Sequence, residues 1–466
     1  MLGRRLYNYC RGVFGSQLVY PIAEWTQGRT IREKQAAIAD DASRHFVERK
    51  ARAWKRLIET VEFAGARVPY YRDLFRDVGF DPASLHRSAD YLADIPVLTK
   101  DTIREQGERL LRDDHIRYRT HASKTGGSTG PSTVIIYDQD AADWSSGVVR
   151  YARQRIGAGA NRSELHFSSR FDGKTPLRDK LREQFKCIAN NRFNIAFASF
   201  APAELEAVWQ RLCNIKPHLV HGHPSTLYQL ALHMSGRTNG IRPFRVFESS
   251  GETLDSKQRG VIRRTFHCDI IDRYGLAEAG VVAYQTDPVR SEMLVLENVA
   301  WPEVIDVDFA DDLAGAQPRD AHSQAGELVV TTLKNWMMPL IRYRTGDIAV
   351  LRQSDDGFFI QDLLGRTHDV VEIGGLRVPT HHVQDILDRI GQIREFQIDV
   401  SGVRPLFRVV PESGESVTMI SEKLRQRWHG TIDIEFIDAS ALTFRGWRSK
   451  FHHLIAPPQI RSDWHG

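Results

Sequence analysis

The sequence predicts an α/β protein in which a large layered N-terminal domain is followed by a small C-terminal one. Three observations predict it. From about residue 115 to 300, short β-branched runs at 133–137, 218–220, 245–248 and 270–271 alternate with helical patterns at 202–213 and 224–235, as in parallel α/β layers. From about 301 to 365 the pattern becomes strand-dominated, with candidates at 326–333, 349–352 and 358–360 and a hairpin turn at Asp355-Asp356-Gly357. Gly365-Arg366 then opens a shorter stretch, in which 370–373 and 376–378 read as a hairpin and 380–391 as a helix.

The remaining elements follow in order. The first 25 residues mix Arg4, Arg5 and Arg11 with Leu, Tyr, Val and Phe. They lack the continuous apolar core of a secretory signal, and a weak interfacial helix is a second reading. Residues 30–65 are rich in Ala, Arg, Glu and Lys and read as helix. Short helices are expected around the Ile95-Pro96 turn, and the polar stretch 310–324 reads as a loop.

A chain of 466 residues has room for two or three domains and a large core. With 63 basic and 59 acidic residues the net charge is only +4, and the basic residues are scattered. Nucleic-acid binding, which needs a concentrated basic face, is therefore not expected. The four cysteines, Cys10, Cys187, Cys213 and Cys268, form no CxxC pair. Reduced thiols in a cytoplasmic protein are the expectation. No run of about 18 apolar residues occurs, so no membrane span is expected.

Several short motifs stand in a fixed order. The first is Thr125-Gly126-Gly127-Ser128-Thr129-Gly130. Its glycines let backbone N–H groups approach an anion, and its hydroxyls add donors for phosphate oxygens. It lacks the Lys and helix of a P-loop, and the strand-like 133–137 run places it between two strands. Taken alone it reads equally well as a Gly/Ser surface turn. Ser249-Ser250-Gly251-Glu252 follows an apolar strand, where α/β sheets usually place ligands. Asp272-Arg273-Tyr274-Gly275-Leu276-Ala277-Glu278 follows another strand-like run, and Arg344-Thr345-Gly346-Asp347 reads as a turn. Gly365-Arg366 and Lys450 close the series. Each has a bland alternative, such as a βα turn, an exposed glutamate or a solvated basic tail.

The ordered set resembles the adenylate-forming superfamily of acyl-CoA synthetases, luciferases and peptide-synthetase adenylation domains. Within it the chain is most similar to the phenylacetate–CoA ligase branch and its capsule-polysaccharide-biosynthesis relatives. The resemblance spans nearly the whole chain. It includes Val68-Pro69-Tyr70-Tyr71-Arg72, Ile95-Pro96-Val97-Leu98-Thr99-Lys100, and Gly326-Glu327-Leu328 followed by Met338-Pro339-Leu340-Ile341-Arg342-Tyr343-Arg344-Thr345-Gly346-Asp347. It implies an N-terminal domain at 1–364, with mixed sheets and a β-rich subdomain, and a mobile α+β domain at 365–466.

The resemblance also implies roles. Thr125, Gly127, Ser128, Thr129 and Gly130 would hold ATP phosphates, with Thr129 catalytic. Ser250, Gly251 and Glu252 would line the adenine pocket. Asp272, Arg273, Tyr274 and Gly275 would flank the nucleotide, and Glu278 would ligate Mg²⁺, usually bound through one carboxylate, phosphates and waters. Asp347 would accept both ribose hydroxyls and Arg366 would reach the ribose or phosphates. Lys450 would meet the carboxylate and α-phosphate oxygens. His221, His223 and Pro224 would border the acyl pocket, and His368 and Asp369 would form the hinge. The chain departs from the pattern at Pro131, which directly follows Gly130, at Ala277 in place of Thr or Ser, at Ser449 in place of Gly, at His452-His453 where Arg is common, and at His368 in place of an acid. Thr286 and its neighbours stand where some relatives carry zinc ligands, so no zinc is expected. His218, His221 and His223 would diverge on a strand end, which disfavours metal binding there.

The expected activity is ATP-dependent formation of an acyl-adenylate from a small-molecule carboxylate, then transfer to an acceptor, coenzyme A by default. An amine acceptor, on a sugar or an amino acid, and a carrier-protein thiol are equally consistent with the motifs. A non-catalytic nucleotide-binding homologue is the reading from a different class. The branch makes a homodimer one expected state.

Overall fold

In the computed structural model, the described residues are 2–124, 133–168, 177–196, 200–306, 320–366, 370–412, 414–445 and 450–455. The chain opens with helices at Leu2–Phe14 and Tyr20–Thr26, joined without a break by a π-helical turn at Gly15–Val19. The expected helix over 30–65 is two helices, Ile31–Ala42 and Phe46–Arg67, because Ser43-Arg44-His45 break the pattern. The second buries Ala53, Leu57, Val61 and Ala64 at helical spacing.

Among the described residues, twenty-one strands follow in chain order. β1 (Thr120–Lys124) and β2 (Val134–Asp138) form an antiparallel hairpin. The 125–132 segment therefore connects two strands, as expected, although it lies outside the described residues. Next come β3 (Glu164–Ser168), β4 (Arg192–Ala196), β5 (Leu219–Gly222), β6 (Val246–Ser250) and β7 (Asp269–Leu276). They are followed by β8 (Gly280–Tyr284), β9 (Met293–Val295), β10 (Ala300–Ile305), β11 (Ser323–Thr332), β12 (Tyr343–Ser354) and β13 (Gly357–Arg366). β3 to β13 make one 11-stranded sheet in the order β10-β11-β12-β13-β9-β8-β7-β6-β5-β3-β4. β7, β6, β5, β3 and β4 are parallel, and every pairing from β7 outward to β10 is antiparallel.

The strand-dominated stretch after 301 is thus a wing of the same sheet, attached where Phe359 and Ile360 pair with Leu294 and Met293. Ser354 pairs with Gly357, so Asp355-Asp356 form the expected hairpin turn. β11 is buried on both faces from Glu327 to Thr332, hence its continuous rather than alternating apolar run.

Two segments from the N-terminal third lock onto β12. Tyr71 is buried; its hydroxyl donates to the Pro339 carbonyl at 3.0 Å and accepts from the Ile341 N–H at 3.0 Å. Leu98 pairs with Tyr343 in a parallel bridge, its N–H donating to the Arg342 carbonyl at 2.9 Å. Arg342 sits between them at φ 51. Its guanidinium donates to the carbonyls of Ala93 (2.8 Å) and Ile95 (2.7 Å) and pairs with Glu303, which holds a backbone conformation rarely adopted by a non-glycine residue.

Beyond β13 come the hairpin of β14 (Val370–Ile373) and β15 (Leu376–Pro379) and a four-stranded sheet. That sheet joins β16 (Ile393–Asp399), β17 (Leu406–Pro411) and β18 (Asp433–Phe436) to β21 (Leu454–Ile455). β19 (Phe444–Arg445) and β20 (Lys450–Phe451) form a short pair. Helices Thr380–Ile390 and Val417–Arg427 complete this part, whose own core includes Val383, Leu387, Phe396, Phe407 and Leu424. It docks through Gln384 Nε2 to Asp255 Oδ2 (2.9 Å) and Arg394 Nη2 to Gln229 Oε1 (2.6 Å). Phe451 is buried in the core beneath the parallel strands.

Candidate active site

β12 and β13 place Asp347 directly opposite Arg366. Arg366 Nε lies 3.1 Å from Asp347 Oδ1, and the Tyr274 hydroxyl donates to Asp347 Oδ2 at 2.7 Å. Tyr274 comes from β7, so three strands converge on one carboxylate. Thr345 Oγ1 takes the Asp347 N–H at 3.0 Å and donates to the Leu328 carbonyl, while Gly346 turns at φ 78. That left-handed turn is open to glycine at little cost. Burial, with Asp347 adjoining, raises the Tyr274 phenol far above its ordinary range, so it stays a donor.

A second carboxylate lies close by. Glu278 occupies the tight turn between β7 and β8, not a helix, and is 9% exposed. Tyr343 donates to Glu278 Oε1 at 2.8 Å, and Lys100 Nζ stands 3.6 Å from the same oxygen. Burial and the Glu278 charge raise the Tyr343 phenol, and Asp347 and Arg366 act on it too, so the two carboxylates share one neighbourhood. Lys100 was not singled out from the sequence. The signal was its place at the end of the Ile95–Lys100 run, which the Leu98 bridge carries to Tyr343.

The turn after β6 forms a third group. Gly251 adopts φ 88, and Glu252 beyond it accepts from two backbone amides, Ser225 at 3.2 Å and Phe451 at 2.9 Å. Phe451 is the residue after Lys450, so the Lys450 backbone lies beside this turn; its side chain is outside the described part. His223 Nδ1 donates to the Ser250 carbonyl at 2.9 Å, just before buried Pro224 begins a helix.

Arg273 and Asp272 do not join the Asp347 group. Expected after a strand-like run, both lie within β7: Arg273 faces the side opposite Tyr274, and Asp272 stands two residues back along the strand. Arg273 instead reaches Ser250 Oγ (3.2 Å), Glu248 (3.5 Å) and His221 Nε2 (3.5 Å). Asp272 caps its own neighbour's N–H and stands 3.9 Å from Arg259. Gly275 packs under the Gly280 carbonyl, which a Cβ would meet at 3.0 Å.

Glu248 is the hub of a buried charge cluster that sequence reasoning missed. Arg153 pairs with it at 2.7 Å and also with Glu164, Tyr284 donates to it, and His221 Nδ1 lies 2.8 Å away. The His166 ring sits 4.8 Å from that of His221. Burial and then Arg273 push His221 down to about 3, so it is a neutral ring accepting from Arg273 on Nε2. A ring nitrogen aimed at a guanidinium does not suit a cation. Burial and the nearby Arg162 and Arg245 push His218 down to about 4. The three histidines thus turn to different partners. Among the described residues no group of His, Cys, Asp and Glu has metal-holding geometry.

Thr125, Gly127, Ser128, Thr129, Gly130, His368 and Asp369 lie outside the described residues. The arrangement is therefore two buried carboxylates with phenol donors and nearby cations, and, after the strand that pairs with β7, a turn shared with the C-terminal part.

Comparison with known proteins agrees with this layout. No family model matches the chain. It is 26% identical over 352 residues to a phenylacetate–coenzyme A ligase of Aromatoleum evansii, covering 73% of this chain and 75% of that protein. A phenylacetate–coenzyme A ligase of Pseudomonas putida is similar to the same degree, 26% identical over 353 residues, covering 73% of this chain and 76% of that protein. The chain is also 24% identical to an indoleacetate–lysine synthetase of Pseudomonas savastanoi over 41% of its length and 45% of that protein. It is 21% identical to the CapK protein of Staphylococcus aureus over 60% of its length and 59% of that protein. Its fold superposes on 2-hydroxyisobutyryl-CoA ligase, 18% identical, with a TM-score of 0.66, covering 88% of this chain and 90% of the other. That score is for a postadenylation state; in the thioesterification state of the same enzyme it is 0.54. No helix among the described residues is long and apolar enough to cross a membrane.

Proposed function

We propose that this protein is an AMP-forming ligase that joins ATP and a small carboxylic acid to give an acyl-adenylate, then passes the acyl group to coenzyme A. The observation that carries the reading is the convergence of Tyr274, Asp347 and Arg366 beside Tyr343, Glu278 and Lys100. Asp347 is an acceptor-only carboxylate already oriented by a phenol and a guanidinium, which suits two ribose hydroxyls. Glu278 offers one carboxylate to a hydrated Mg²⁺, which would supply charge neutralisation at the phosphates. Lys100 brings positive charge to Glu278, Lys450 is assigned to the carboxylate and α-phosphate oxygens, and the 125–130 loop is assigned the phosphates. The turn of Ser250, Gly251 and Glu252 is assigned the adenine.

In the first step a carboxylate oxygen attacks the α-phosphorus, and the bond to pyrophosphate breaks. In the second the acceptor attacks the acyl carbon, and AMP leaves with the bonding pair. The same site serves both steps if residues 365–466 turn against 1–364 about His368 and Asp369. The acyl group is assigned to the side of the site bordered by His221, His223 and Pro224. Transfer to an amine is the second reading, favoured by the likeness to indoleacetate–lysine synthetase.

ATP–pyrophosphate exchange against aryl, fatty and amino acids tests this, with Lys450→Ala as control. Exchange with one acid, lost in the variant, is the expected result. Measurable ATP binding without exchange for any acid would sink the reading. Thioester detection with coenzyme A, beside amide detection with lysine and amino sugars, then separates the acceptors.

A further inference from the structure

The N-terminal helical segment is held firmly on one face only. Asn8 Nδ2 donates to the Ile215 carbonyl at 2.8 Å and Ser16 Oγ to Asn161 Oδ1 at 2.9 Å. A Cβ on Gly12 would stand 2.1 Å from the Asn161 carbonyl oxygen, so the helix lies tight against the body. The opposite face carries Tyr7, Phe14, Leu18, Ile22 and Trp25, all exposed, Trp25 by 82%. Their spacing keeps them on one stripe. Beside this segment the helix Leu177–Ala189 presents Leu177, Leu181 and Phe185 at every fourth position, all exposed as well. Large apolar side chains in such number on two adjacent helices are more than the scattered exposure normal for a surface.

A concavity of about 1110 Å³ opens between the two helices. Val19, Ala23, Leu181 and Phe185 contribute its apolar wall, and Arg119, Arg162, Arg178 and Arg182 also line it. These four guanidiniums have no acidic partner among the described residues, and Asp179 is the lone unpaired carboxylate of the lining. The parallel strands β3 and β4 meet this concavity through Glu164 and Arg192 at their N-terminal ends, while the turn after β6 lies at the opposite, C-terminal end of the parallel strands. The concavity therefore lies away from Asp347, Glu278 and the turn after β6, touching only the Arg153–Glu164 end of the buried charge cluster.

We propose that this face docks on an anionic lipid bilayer, with the aromatic and aliphatic stripe at the headgroup–acyl boundary and the guanidiniums on lipid phosphates. Apolar stripe, aromatic residues and unpaired arginines together are the make-up of an interfacial helix. A second copy of the chain is the poorer occupant. A two-fold contact would set the same unpaired arginines against each other, since such an interface repeats one patch.

Co-sedimentation of the full chain with phosphatidylcholine vesicles, with and without phosphatidylglycerol, tests the proposal. Binding is expected only to the anionic vesicles and should weaken as salt rises. Leu18→Asp with Ile22→Asp, at exposed positions, should weaken it by about tenfold or more, with unchanged melting temperature. Arg178→Glu with Arg182→Glu tests the charge on the other helix, whatever the fate of the first variant. Absence of binding, or equal binding by wild type and both variants, would overturn the proposal. So would a dimer that the apolar variant splits while vesicles stay unbound, or binding abolished by millimolar inorganic phosphate.

Discussion

Asp347 owes its readiness to two side chains that arrive from different strands. Removing the Tyr274 hydroxyl leaves the ring in place and takes away one donor. Tyr274→Phe should raise the KM for ATP about tenfold, near 1.4 kcal/mol, read from exchange rates at varied ATP. Glu278→Gln should raise the Mg²⁺ concentration that half-saturates exchange by about tenfold or more, because a neutral amide is a poor ligand for a hard cation. Arg342 has no part in that chemistry but fixes the frame around it. Arg342→Ala removes its bonds to the Ala93 and Ile95 carbonyls and strands Glu303, whose carboxyl is already raised by burial. A loss of about 3–5 kcal/mol is expected, visible as a lower denaturant midpoint with an unchanged slope.

At the scale of elements, the motifs on backbone turns were legible and the long-range pairings were not. Gly251 and Gly346 announced their turns because few other residues accept such torsions. Asp272 to Gly275 were expected after a strand and lie inside one, since Tyr-Gly reads locally as a turn while β8 pairs it into the sheet. The hub at Glu248 left no local trace, for Arg153, Glu164, His221 and Glu248 come from four separate elements. Lys100 was hidden for the same reason, since only the Leu98 bridge brings it to Glu278. One element also carries a pH signal. Glu395 of β16 is buried near Asp255 and Glu252, and burial pushes its carboxyl up to about 8. A raised acid stabilises the fold fully below its ordinary value of 4.5, and that contribution is lost as pH climbs toward 8. The melting temperature should therefore fall across that window, and Glu395→Gln should flatten the profile.

Across the whole molecule, the alternation of strands and helices foretold the layered architecture, and the strand-rich stretch foretold the antiparallel wing. That the two share one continuous sheet depends on the short β9–β13 contact, which no local pattern encodes. The proposed rotation belongs at this scale. A short bis-maleimide joining Asp255→Cys to Gln384→Cys, in a Cys10→Ser background, should hold the C-terminal part where it is. Pyrophosphate exchange should survive and thioester formation should stop. Unimpaired thioester formation by the cross-linked protein would remove the need for any rotation.

β7 separates two tasks by a single peptide. Arg273 turns toward the buried histidines and Tyr274, one residue on, toward Asp347, because neighbours in a strand face opposite ways. A lineage can therefore experiment on the Arg273 side while the Tyr274–Asp347 bond stays intact. A one-residue insertion in that strand would exchange the two faces and forfeit both. The freedom to diversify and the intolerance of slippage have the same origin, the two-residue repeat of an extended chain.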